Sequence, residues 1–148
     1  MTKTDILDAI NLLLVRKWPQ RTVYVDVCPV DFERPSFWLA VEKHEIFPAN
    51  RHMDRHELQL RLTLYDALDE HYEASWHRLS TETDTLTAML APCLKVGERH
   101  ISLRVKMLPR DPDRAYIQIN TSWMDERPGM NAEDIPPASA YALTVEAK

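Results

Sequence analysis

His52 and His56 stand four residues apart, the spacing that on a helix turns two imidazoles toward one zinc ion. Here they lead into an alternating segment, where that spacing does not bring the rings together. No Cys-x-x-Cys or third ligand accompanies them, so they read as surface histidines and no metal or other cofactor is expected. His71 and His77, with Glu70 and Glu73 close by, have the residue types of a general-base site. No Ser, Cys or Asp is spaced to complete a nucleophilic set with them, so the signal for a nucleophilic or general-base site is weak. Positive charge gathers in the run Asn50-Arg51-His52-Met53-Asp54-Arg55-His56, and Arg110 and Arg114 add more at a later turn. Such tips are either solvated or they meet acidic surfaces of a partner, where arginine makes bidentate, orienting contacts. Of Trp18, Trp38, Trp76 and Trp123, only Trp38 falls on the polar side of a strand, which marks it as the interface candidate.

Composition narrows the function further. With 148 residues and 17.3 kDa the chain suits one domain, and 45 % hydrophobic with 28 % charged residues is ordinary for a folded one. Gly97 and Gly129 are the only glycines, which removes the P-loop, the dinucleotide fingerprint and the nucleophile elbow, all of which need closely spaced glycines. Ten prolines against two glycines predict stiff connections. Eighteen Lys and Arg against 23 Asp and Glu give a net charge of −5, which does not advertise nucleic-acid binding. No leader is recognised and no apolar run approaches the roughly 20 residues of a membrane span, so a cytoplasmic protein without membrane contact is expected. Cys28 and Cys93 are then expected as two separate, partly buried thiols.

The elements that would carry these residues follow from periodicity. Ile6, Leu7, Ile10, Leu13 and Leu14 predict a helix over Thr4–Trp18, stopped by Pro19. Alternation predicts strands over Thr22–Cys28 and Ser36–His44, and a third through Leu58, Leu60, Leu62 and Leu64. Tyr72, Trp76, Leu79, Thr83, Leu86 and Leu90 recur at three and four, predicting a second helix over Glu70–Leu90. Two closing strands are expected at Ile101–Met107 and Ala115–Trp123, as a hairpin around the Leu108–Arg114 turn. Met124–Lys148, with Pro128, Pro136 and Pro137, reads as an extended arm with at most a short closing strand at Tyr141–Val145. The expected fold is α+β in the order α-β-β-β-α-β-β. Its mainly antiparallel sheet of about five strands carries both helices on one face and leaves the other more polar and open to a partner.

A helix closing on Trp18-Pro19, a Pro35-Ser36-Phe37-Trp38 strand opening and a polar Asn50-x-x-Met53-x-Arg55 run precede Leu58-x-Leu60-x-Leu62-x-Leu64-Tyr65. With the long helix and hairpin that follow, this pattern resembles the phage tail terminator, or tail completion, proteins. The likeness covers roughly residues 4–123, concentrated in Arg34–Leu39 and Asn50–Asp66, and leaves the arm from 124 to 148 outside it. It implies a structural protein and not an enzyme, a small α+β subunit that forms a six-membered ring on the head-proximal end of the tail tube. The implied partners are copies of itself, the tail tube protein and the head-tail connector, with DNA passing through unheld and no membrane involved. The implied location is the host cytoplasm during assembly and the virion tail afterwards. Arg51, Met53 and Arg55 match the family's long hairpin and would touch a neighbour, with Trp38, Arg110 and Arg114 as further contact candidates. The other readings are a different neck or connector adaptor, or a small enzyme of unrecognised class. A ring subunit needs apolar or arginine-bearing patches on two surfaces that fit each other, whereas an enzyme needs a pocket of convergent polar groups.

Overall fold

Thr2 and Asp5 start the first helix, α1 (Lys3–Lys17), by a reciprocal capping box: the Asp5 amide donates to Thr2 Oγ1 and the Thr2 amide to Asp5 Oδ2. Arg16 and Lys17 lie in its last turn, where cations favour the helix dipole, and Trp18 closes it ahead of Pro19. The computed structural model describes residues 1–128. Beyond α1 come β1 (Thr22–Val25), β2 (Ser36–Pro48), β3 (Met53–Tyr65), α2 (Trp76–Leu90), β4 (Cys93–Val96), β5 (Arg99–Met107) and β6 (Arg114–Glu126).

The strands form one sheet in the order β1-β2-β3-β6-β5-β4. The α+β class is as expected, but the sheet is six-stranded and mixed, where a mainly antiparallel sheet of about five was anticipated. The extra strand is β4, four residues that pair antiparallel with β5 just after Pro92. The parallel pair is β1 with β2, because residues 26–35 cross back over the sheet end and do not make a hairpin turn. Helix α2 begins at Trp76, not Glu70. Ser75 is its N-cap, its hydroxyl accepting from the Arg78 amide, and Tyr72 sits at φ 59°, outside helical geometry. Strands β2 and β3 continue past the expected ends, so Met53 and Arg55 lie within a strand and the connecting turn is only residues 49–52. Strand β6 likewise runs through Glu126, three residues past the expected boundary at 123. The rest of the expected arm, with Tyr141–Val145, lies outside the described residues.

Strict alternation puts Leu58, Leu60, Leu62 and Leu64 on one face, beside Ile117 and Ile119 of β6 and Phe37 and Leu39 of β2. Ile6, Ile10 and Leu14 of α1 and Leu79, Leu86 and Leu90 of α2 join these rows in one apolar cluster. Each such side chain contributes roughly 1.5–3 kcal/mol on burial, which is what holds two helices of modest propensity in place. A bidentate ion pair from Arg21 to the buried Glu82 fastens α2 to the start of β1, with the Arg21 guanidinium over Trp18 and Phe37.

Between Val41 and Lys43 the β2–β3 register slips by one residue. A bulge of this kind reverses which side chains face inward. Phe37 and Leu39 face the core before it, while His44 and Ile46 take that face after it, opposite Leu58 and His56.

Candidate functional site

The β2–β3 turn is a built tip. Asn50 Oδ1 accepts from the amides of His52 and Met53, both at 2.9 Å, and the Ala49 amide donates to the Met53 carbonyl. Arg127, just past β6, clamps it from the side: its amide reaches the His52 carbonyl, and its guanidinium reaches Asp54 and the Asn50 carbonyl. Arg51 and His52 project into solvent, and Arg51 has no carboxylate partner among the described residues. Met53 is half-buried, while Arg55 is half-exposed and leans on Glu57 at 3.3 Å. Phe47 and Met124, the strand neighbours of Arg55 on the open face of the sheet, are both more than 40 % exposed.

On that open face, the other expected contact residues are held mainly by their own chain. The Trp38 indole donates to the Asp26 carbonyl. Arg61 lies over the Tyr116 ring and pairs with Glu42, which also accepts from Gln59. At the end of the sheet far from the tip, Phe32 stacks on Tyr65 with ring centres 4.0 Å apart, and Arg34 and Arg114 both lie over this pair. Asp113 bridges the two guanidiniums, at 2.8 Å from Arg34 Nη2 and 2.7 Å from Arg114 Nη2. The hydrogen bonds from Arg114, joined by those from Arg34, hold the Asp113 carboxyl down at about 2. Burial, with the Cys28 thiol as a secondary cause, pushes the Tyr65 hydroxyl up to about 12. Burial and the hydrogen bond to Asp111 also raise Tyr116. Arg114 is thus committed to fastening the β1–β2 loop.

Arg110 stays exposed. It shares a cleft of about 430 Å3 with Glu73, Trp76 and Pro112 at this same end of the sheet. Trp76 is 60 % exposed and Tyr72, on the adjoining loop, 79 %. That loop is held in shape: Asp69 accepts from the His71 and Glu73 amides, Leu68 bridges to Ala74, and the Ala74 amide donates to the Pro112 carbonyl.

The histidines fall into two groups. His52, His71, His77 and His100 are exposed. His56 is not a surface residue as expected: it is half-buried on the core face, its ring 4.7 Å from the Trp123 indole and nearly parallel to it. His44 Nε2 lies 3.1 Å from His56 Nδ1. Burial is the first cause that lowers the His44 pKa, followed by His56 and Lys3. A cleft of about 720 Å3 opens between this stack and the start of α1. Sequence reasoning missed the trio, although His56 shares the parity of Leu58 and Leu60. Among the described residues no group of three or more His, Cys, Asp or Glu is placed to hold a metal, and no helix is long and apolar enough to cross a membrane. Cys28 is half-buried and Cys93 exposed, both unpaired.

No family model matches the chain, and no curated protein does. Eleven solved chains match it; one of them is 10 % identical, covering 88 % of this chain and 99 % of its own at a TM-score of 0.44. A likeness of that size carries no weight for function.

Proposed function

We propose that this chain is a ring-forming structural subunit, a phage or prophage tail terminator that caps the head-proximal end of the tail tube and meets the head-tail connector. Its partners in this reading are five further copies of itself, the tube protein and the connector, and DNA passes through without being held. It would assemble in the host cytoplasm and remain in the virion tail. The resemblance over Arg34–Leu39 and Asn50–Asp66 motivates the reading. The observation that carries it is the long β2–β3 hairpin whose tip is fixed by Asn50 and Arg127 and offers Arg51 outward. A preorganised protrusion loses little entropy on docking, which suits a subunit acting by shape. A protrusion on one side and a receiving surface on another make a heterologous contact, which closes into a ring when the rotation per subunit divides a full turn.

Native mass spectrometry across concentrations, with and without the tube protein, tests it. A single discrete six-subunit mass is expected. Monomer or dimer alone under both conditions overturns the reading.

A further inference from the structure

We infer that the hairpin tip of one copy docks against the Tyr72–Trp76–Arg110 surface of the next, an inference that rests on the ring reading and names the two surfaces that meet. Exposed Trp, Tyr and Arg together are the residue types that dominate binding energy at interfaces. Tyr72 and Trp76 are among the most exposed large apolar side chains of the described residues. Tyr72 is presented at φ 59°, a conformation that costs a side-chain-bearing residue of order 1 kcal/mol and is held by the Asp69 and Ala74 hydrogen bonds.

Charge says what covers this surface. The loop and the adjoining turn carry Asp69, Glu70, Glu73 and Asp111 against Arg110 alone. Asp69 and Asp111 have bonds within the chain, whereas Glu70 and Glu73 project freely and have no ion-pair partner among the described residues. The surface therefore takes a cation that can also lie on an aromatic ring, which is what arginine does. Arg51 is such a cation, and Phe47 and Met124 flank the same tip with exposed apolar surface.

The contact cannot form within one molecule. The tip adjoins Met53 and the aromatic surface follows Tyr65, and the 13 residues of β3 between them span about 40 Å. Both surfaces sit at opposite ends of the same rigid strands, so the tip can meet the Trp76 surface only on a second copy. The two faces are different, so the contact is heterologous and propagates around a ring.

Mixing two single-cysteine variants tests the contact directly. Arg51→Cys and Glu73→Cys, each in a Cys28→Ser, Cys93→Ser background, are combined and treated with a short bis-maleimide. A mixed cross-linked dimer is expected, with neither variant cross-linking alone. In parallel, Arg51→Glu should weaken self-association about tenfold, and adding Glu73→Arg should restore it. All four positions are exposed or half-buried, and circular dichroism confirms that each variant is folded. If the unmodified chain gives a discrete oligomer but no mixed cross-link forms and Arg51→Glu assembles normally, this contact is wrong while the ring reading stands. If the unmodified chain stays monomeric with and without the tube protein and no cross-link forms, both are wrong.

Discussion

The imidazoles of His44 and His56 meet across β2 and β3 with Nε2 and Nδ1 3.1 Å apart, and the Trp123 indole lies flat against the second ring. Only one of the two facing nitrogens can carry a proton, so the contact is a hydrogen bond only while the pair holds fewer than two positive charges.

Stability should fall as pH drops from 7 to 5.5. The His44 pKa is lowered in the folded chain, so the unfolded chain binds a proton first as pH falls through about 6.5. Protonation then favours unfolding until the folded pKa is passed. Urea midpoints at the two pH values should show the loss, and His44→Asn should flatten the dependence. An equal slope in that variant would remove His44 as the cause.

Asp113→Asn should cost about 2 kcal/mol, because two guanidiniums lose a charged acceptor. The dependence on pH has the same sign as that of His44 but comes from a carboxylate that its partners hold ionised. A carboxyl held at about 2 in the folded chain stabilises it above the ordinary value of 3.8, and that contribution disappears as pH falls from 3.8 through about 2. Thermal melts of both proteins at pH 7 and pH 2 should converge at the lower pH.

Removing the side chain that organises the hairpin tip should be felt locally. Asn50→Ala deletes the acceptor for the His52 and Met53 amides, whose hydrogen exchange should speed about tenfold, at a global cost near 1 kcal/mol. Unchanged exchange at both amides would mean that Arg127 alone orders the turn.

Arg55→Glu should leave the monomer folded. Its ion pair with Glu57 joins two half-exposed side chains and is worth under about 1 kcal/mol. Association should nonetheless weaken, since Arg55 lies between Phe47 and Met124 on the open face. Normal assembly with a normal circular dichroism spectrum would take Arg55 out of the interface.

Much of the framework could be read from side-chain period. The four leucines of β3 and the apolar stripe of α1 are unambiguous because one face of each is fully buried. Strand β4 escaped because Cys93–Val96 is too short to establish a period between Pro92 and Gly97. The start of α2 was misplaced because Tyr72 continues the helical spacing by accident, while the Ser75 cap lies inside the apparent pattern. The parallel direction of β1 depends on the path of residues 26–35, which no alternation encodes. Of the contact candidates, Arg51 and Arg110 are exposed and have no carboxylate partner among the described residues. Arg114 is not, because Asp113 and the Phe32–Tyr65 stack come together only in the folded chain.

The slip at Val41 and Lys43 has a genetic consequence. Deleting Glu42 would close the ladder into an unbroken two-residue phase with Lys43 still opposite Gln59, so every residue from Lys43 to Phe47 would keep its present side. Lys43, Glu45 and Phe47 would stay on the open face and His44 and Ile46 on the core face, and only the Glu42 contacts to Gln59 and Arg61 would be lost. A single lost codon at this position therefore leaves both faces of the hairpin as they were, and so does a lost codon in the 49–52 turn, which only shortens the tip.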